Sequence, residues 1–224
     1  MSAMSETLQL ALVLVPCLII AIVFHEVAHG WTALALGDPT AREQRRLTLN
    51  PIRHVDPVGT VLVPGFLALV GAPVFGWARP VPVDAARLNN PRLGMMAVAA
   101  AGPATNFALA AVGAAALGLA SPAGAAPLVT QGLFTFILIN LFIAIFNLLP
   151  IPPFDGSHIV EGVLPRRWAA GYEKLRPYGM VLFLALIAMA WAFPAFDVIG
   201  RVIGPPVEWL LGHYLAFAAL FSGG

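Results

Sequence analysis

Residues 8–36 read LQLALVLVPCLIIAIVFHEVAHGWTALAL. Nearly every position is apolar, yet His25, Glu26 and His29 interrupt the second half. About 20 apolar residues cross the hydrocarbon core of a bilayer as a helix. The stretch is long enough to cross and still carry a polar final third near one interface. Gly37-Asp38-Pro39 stops it. Ionisable groups inside a spanning segment are costly and rare, so these three point to function.

The composition agrees with a membrane protein. Of 224 residues 59% are hydrophobic and 10% charged, and mean hydropathy is +0.86. A soluble domain carries about 25% charged residues. The deficit leaves too little polar surface to cover a globule in water. A net charge of +1 offers no broad basic surface, so nucleic acid is not an expected partner. The lipid bilayer is. The single cysteine, Cys17, lies in an apolar run, cannot form an intrachain disulfide and is expected to pack. No Lys or Arg precedes Leu8, so the basic region of a cleavable signal is missing. Segment 8–36 therefore reads as a retained spanning helix.

Outward from that helix, 41–50 (AREQRRLTLN) is polar and ends in an alternating, weakly strand-like Leu47-Thr48-Leu49. Val58–Val74 is apolar with Pro64-Gly65 near its middle. Residues 75–84 (FGWARPVPVD) look like a short edge strand. Met95–Ala120 is rich in Ala and Gly and suited to close packing. Leu128–Leu149 is a strong spanning segment ended by Pro150, Pro152 and Pro153. Tyr178–Phe193 spans or nearly spans. The run after Asp197 is broken by Gly204-Pro205-Pro206. The expected fold is an all-α polytopic membrane protein of about five to six membrane segments, with a small β-region after the first helix. One domain is expected over residues 1–224, with a core over 8–176 and C-terminal membrane segments over 177–224.

Basic residues orient the chain. They fall at Arg42, Arg45, Arg46 and Arg53, at Arg79, Arg87 and Arg92, and at Arg166, Arg167, Lys174 and Arg176, with only Arg201 elsewhere. The positive-inside rule puts all three clusters in the cytoplasm. Val58–Val74 would then enter and leave on one side, turning at Pro64-Gly65; the alternative is an ordinary second spanning helix. Such non-helical backbone at depth must be buried or line a wet cavity. A polar cavity beside the first helix is therefore expected.

His25-Glu26-Val27-Ala28-His29 is an HExxH pattern. On a helix, positions i and i+4 share a face, so both imidazoles can hold one zinc ion. The intervening Glu can act as general base toward water. A catalytic zinc takes a third protein ligand and keeps one position open. Asp155, in NLLPIPPFDG (147–156), is the best candidate, since the prolines break the helix and let the carboxylate turn back. His158, three residues on, could compete or support another ligand. His54 could orient one. His213 reads as interfacial.

Three elements resemble the site-2 protease family of intramembrane zinc metalloproteases: HEVAHG (25–30), AAGPATN (100–106) and NLLPIPPFDG (147–156), with Phe154 where the family usually has Leu. The flanking stretches GDPTA, RLTLNPIRHVDPVGT and FGWARPVPVD are similar to compact bacterial members without a PDZ domain. The resemblance runs from about Phe24 to Tyr178. It implies one zinc per chain held by His25, His29 and Asp155, with Glu26 as catalytic base. It implies that Asn147 supports substrate or the oxyanion, although a lone Asn near the end of a span also suits a helix–helix hydrogen bond. It implies hydrolysis of peptide bonds in transmembrane segments of protein substrates, with segments 44–50 and 75–83 receiving an unwound strand. It implies a multi-pass protein of the bacterial inner membrane with its site toward the cytoplasm. Regulation would then fall to a membrane partner or to prior trimming. The same ligands would also serve a zinc hydrolase of a non-protein substrate or a non-catalytic metal-binding membrane protein.

Overall fold

The computed structural model of the protein describes residues 3–71, 75–193 and 198–222. All regular structure among these residues is helical. Helix α1 spans Ala3–Ala35. Gly37 ends it with a φ of +105°, a left-handed conformation that glycine adopts at low cost. α2 is the short turn Thr40–Glu43, and α3 spans Val63–Leu69. α4 spans Pro91–Ala120 and is opened by Asn90, whose side chain accepts from the Leu93 amide. α5 spans Pro127–Asn147. α6 spans Asp155–Val163, α7 Arg166–Glu173, α8 Gly179–Ala192 and α9 Val198–Ala219.

Four stretches are long and apolar enough to cross a membrane: Leu8–Ala35, Pro91–Ala120, Pro127–Asn147 and Arg166–Ala192. The protein is an integral membrane protein. The fourth stretch bends between α7 and α8. α8 alone has 14 residues and rises about 21 Å, short of the roughly 30 Å hydrocarbon core. Four such stretches among the described residues are fewer than the five to six segments expected from the sequence. Of the C-terminal run, residues 194–197 lie outside the described residues. α9 does not break at Pro205-Pro206. Two ring nitrogens without N–H remove helix bonds, but Ile203 and Val207 on either side bury themselves against α4 and α5, which offsets the loss.

α4 is the hub, packing on α1, α5, α6 and α9. Its small residues allow this. Ala110 and Ala114 are fully buried against Ile137 and Leu141 of α5, and a Cβ on Gly113 would lie 2.9 Å from Phe136. Without a hydrophobic drive between helices in lipid, such close approach is what holds a bundle. Cys17 packs with Ala21 and Ile139.

The Val58–Val74 segment forms a hairpin. A wide helical turn over Pro57–Leu62 leads into α3. The chain then returns, so that the Trp77 amide donates to the Gly59 carbonyl at 3.1 Å and the Thr60 hydroxyl to the Trp77 carbonyl at 2.9 Å. Both limbs therefore start and finish at one level. The expected turn at Pro64-Gly65 is corrected: both residues lie within the helical stretch that runs from Pro57–Leu62 straight into α3. The chain leaves the helix at Val70-Gly71, and residues 72–74 lie outside the described residues.

The expected β-region is also corrected. Neither 44–50 nor 75–83 forms a strand among the described residues. The amides of 75–83 have other partners. Trp77 bonds Gly59, Arg79 bonds the His54 carbonyl, and Val81 bonds a Glu26 carboxylate oxygen. Pro80 and Pro82 have no N–H to offer.

The basic clusters gather at one end of the bundle. Arg87 pairs with Glu43 at 2.8 Å. Arg92 donates to the carbonyls of Glu161 and Leu164, and Arg176 pairs with Glu161. A hairpin at 58–71 and a common end for the clusters make one topological prediction. Single cysteines at positions 45 and 87, in a Cys17→Ser background, should label with an impermeant maleimide from the same side of sealed vesicles. Labelling from opposite sides would mean that the intervening chain crosses.

Candidate zinc centre

α1 presents His25 and His29 one turn apart toward α4, their ring centroids 4.6 Å apart. Each ring is fixed through Nδ1. His29 Nδ1 lies 2.7 Å from the Val98 carbonyl oxygen, which can only accept, so Nδ1 carries the proton. His25 Nδ1 lies 2.6 Å from Asn106 Oδ1. The Asn106 amide nitrogen donates to the Ala21 carbonyl at 3.1 Å and to Asn140 Oδ1 at 2.9 Å, so its oxygen is the atom that faces His25 and accepts. Asn140 in turn donates to the Phe136 carbonyl at 2.8 Å. Both imidazoles are therefore Nδ1–H tautomers, and both present an Nε2 lone pair to the same point.

Asp155 meets them there. After α5 ends at Asn147, residues 148–154 carry the chain back, and Asp155 opens α6. Its Oδ2 lies 3.1 Å from His25 Nε2 and 3.4 Å from His29 Nε2. That oxygen is buried and in hydrogen-bonding geometry with neither nitrogen. Two lone pairs facing a carboxylate oxygen repel unless a cation lies between them. The three ligand atoms all fall within 4.8 Å of one another. Tetrahedral zinc with bonds of about 2.0–2.1 Å sets its ligand atoms about 3.3 Å apart. The donor set, its tautomers and its spacing thus fit zinc.

Glu26 lies between the histidines in sequence. One oxygen, Oε2, accepts from the Val81 amide at 2.8 Å. The segment that supplies this amide is clasped to the end of α1 by the buried Asp38. That carboxylate accepts from the Thr40 amide and hydroxyl and from the Asp84 amide. Burial alone would raise the Asp38 carboxyl; these bonds outweigh it and hold it below its ordinary range. Gly30 leaves room for the clasped segment, since a Cβ there would meet Val81 at 2.8 Å. Around these groups opens a cleft of about 320 Å³, the polar cavity expected beside the first helix.

Of the remaining candidates, Asn147 and His158 line the cleft, and His54 does not. Asn147 donates to the Ile143 carbonyl of its own helix at 2.9 Å rather than to a neighbouring helix. His54 is buried with Nε2 2.8 Å from the Thr48 carbonyl. His213, on α9, bonds the Trp209 carbonyl at 2.7 Å. Asn140 and Asp38 went unread in the sequence. A signal existed for each. An Asn deep in a span needs a partner, and Asp-Pro-Thr after a helix end is a turn signature.

Residues 120–190 match Peptidase family M50. Over 179 residues the chain is 42% identical to a protein of Bacillus subtilis (strain 168) named "Putative zinc metalloprotease YwhC", covering 77% of this chain and 78% of that one. The chain belongs to peptidase family M50. It is 32% identical over 181 residues to Rip2 of Mycobacterium tuberculosis (strain ATCC 25618 / H37Rv), covering 78% of this chain and 68% of that one. It is 38% identical over 120 residues to Rip3 of the same strain, covering 51% and 30%. Both carry the same descriptive name as YwhC. No solved structure matches. As an M50 member the protein is a zinc metalloprotease, and zinc is its cofactor.

Asn106 gives this M50 site a prediction. Partners that hold a ligand's far nitrogen typically contribute 10- to 100-fold to metal affinity. Asn106→Ala removes the acceptor for His25 Nδ1 without adding bulk at this buried site. Zinc affinity, read by competition with a fluorescent chelator, should fall by about 10- to 100-fold. Unchanged affinity would show that His25 does not need this bond.

Proposed function

We propose that the protein is an intramembrane endopeptidase that hydrolyses peptide bonds within or near transmembrane segments of membrane proteins, as in regulated intramembrane proteolysis. His25, His29 and Asp155 hold zinc, and Glu26 is the general base. The observation that carries this reading is the convergence of three ligand atoms within 4.8 Å in a cleft walled by a spanning helix. Zinc supplies Lewis-acid polarisation of the scissile carbonyl and makes water a nucleophile near neutral pH. Glu26, steadied by the Val81 amide, takes a proton from water as oxygen adds to the carbonyl carbon. It returns that proton to the nitrogen as the C–N bond breaks. A helical substrate must unwind first, because its peptide groups are otherwise tied in backbone bonds. Asn147 is available at the cleft to hold the unwound chain or the oxyanion. His54 supports the site at a distance, through the loop that carries Arg79.

The whole chain 1–224 acts as one membrane-embedded domain, with the catalytic core over 8–176 and α8 and α9 completing it. The positive-inside pattern favours a site toward the cytoplasm, and the family resemblance favours a bacterial inner-membrane protein controlled by a membrane partner. The test compares membrane-protein fragments from cells making wild-type protein or Glu26→Gln. Glu26→Gln should keep about one zinc per chain, since the Glu is not a ligand. It should slow cleavage by roughly 10²- to 10⁴-fold. Fragments at wild-type abundance in the variant would defeat the mechanism.

A further inference from the structure

His158 stands one turn after Asp155 on α6, so both residues face the same cleft. Its Nδ1 lies 3.1 Å from Arg176 Nη2. A guanidinium can only donate, so Nδ1 accepts, and a neutral ring then carries its proton on Nε2. Glu161 Oε2, at 3.6 Å from Nδ1, is too far to reverse this. Arg176 is itself locked in place. Its Nε donates to Glu161 Oε1 at 3.0 Å, and its Nη2 also pairs with the buried Glu161 carboxylate. Nε2 of His158 has no hydrogen-bond partner among the described residues, and the ring is partly open to the cleft.

Burial and the Arg176 charge push the imidazole below its ordinary value, with a contribution from His29, while Glu161 and Asp155 pull the other way. His158 is therefore not a third imidazole on the metal, since it lies outside the three-atom cluster, and with Nδ1 bonded to Arg176 and the proton on Nε2 it has no free lone pair with which to act as a base.

We propose that His158 donates its Nε2–H to the scissile carbonyl oxygen as negative charge develops there, which makes it a catalytic residue of this protease. The inference rests on the reading of the cleft as the proteolytic site. A neutral donor aimed by an arginine that is anchored on a buried carboxylate suits this task. It needs no reorganisation during reaction.

The test uses purified full-length protein in detergent micelles with fluorescein-labelled casein, an unfolded probe that needs no unwinding. His158→Ala should lower kcat by about 10²-fold or more, the usual cost of one oxyanion donor. KM should change little and zinc should remain at about one per chain. His158→Gln, whose amide can place an N–H near the same point, should recover at least part of the lost kcat. A phosphinic peptide, which mimics the tetrahedral transition state, should lose affinity for His158→Ala in parallel with kcat/KM. Unchanged kcat in His158→Ala, or loss of zinc from it, would overturn the proposal. Loss of kcat without weaker phosphinate binding would reduce His158 to a structural part and overturn it too. Wild-type turnover no faster than that of Glu26→Gln would instead defeat the site reading itself, and the role of His158 with it.

Discussion

Asp155→Ala protein should insert into the membrane normally, retain little zinc and show no measurable proteolysis. The carboxylate approaches from a different helix from the two imidazoles, and α1 offers no further ligand on that face. Its oxygen completes three corners of a tetrahedron at 3.1 and 3.4 Å from the two nitrogens. Removing it leaves two neutral ligands and no negatively charged one. A zinc site of several ligands binds by about 10–16 kcal/mol in all. One ligand's share of roughly 3–4 kcal/mol corresponds to a 10²- to 10³-fold loss of affinity. Asp155→Asn should be milder, because an amide oxygen can still coordinate but brings no charge. Zinc per chain, measured by atomic emission after gel filtration, separates the two variants. Full zinc in Asp155→Ala would remove Asp155 from the ligand set while leaving the protease intact as a class.

Gly102→Val should disable the protein almost as completely, although Gly102 is not itself a ligand. A Cβ at this position would lie 2.6 Å from Cε1 and Nε2 of His25 and 2.6 Å from Cε1 of His29. In an open helix, replacing glycine by alanine stabilises by about 1 kcal/mol. Here the sign reverses, because α4 must retreat from α1 or the rings must turn. Either movement breaks the Nδ1 bonds to Asn106 and Val98 that aim both Nε2 atoms. Overpacking of this kind typically costs 1–3 kcal/mol in stability. Zinc affinity should fall by at least about tenfold, as when ligand-orienting partners are lost. Gly102→Ala should fall less, in the same direction. Gly132→Ala is the control, since nothing lies within 4 Å of its added Cβ. Normal zinc binding by Gly102→Val would mean that the two helices are not held this closely.

Much of the site was legible because local chemistry wrote it. HExxH on one helix brings two imidazoles to one face through the 3.6-residue period alone. Pro150, Pro152 and Pro153 marked where the chain must leave the helix before Asp155. The charge clusters favoured a return of Val58–Val74 to its own side, and the Trp77–Gly59 bond shows the hairpin. The same local reading misplaced its turn, because the helical stretch runs on through Pro64-Gly65. It also made strands of 44–50 and 75–83. Alternation and β-branched residues signal an extended chain, but a strand needs a free partner edge. Here the amides go to Gly59, His54 and Glu26.

By itself, then, the sequence determined a membrane protein of apolar helices and a histidine pair, with a glutamate between, on one face of the first. Those follow from length, hydropathy and i, i+4 spacing, which act within a few turns of chain. Only the tertiary structure decided which nitrogen each histidine presents, what steadies Glu26, and which face of His158 meets the cleft. Those depend on partners far away in sequence: Asn106 and Asn140 for His25, Val98 for His29, Val81 for Glu26 and Arg176 for His158. A hydrogen bond has direction, and its direction is settled only when the helices that carry donor and acceptor are packed together.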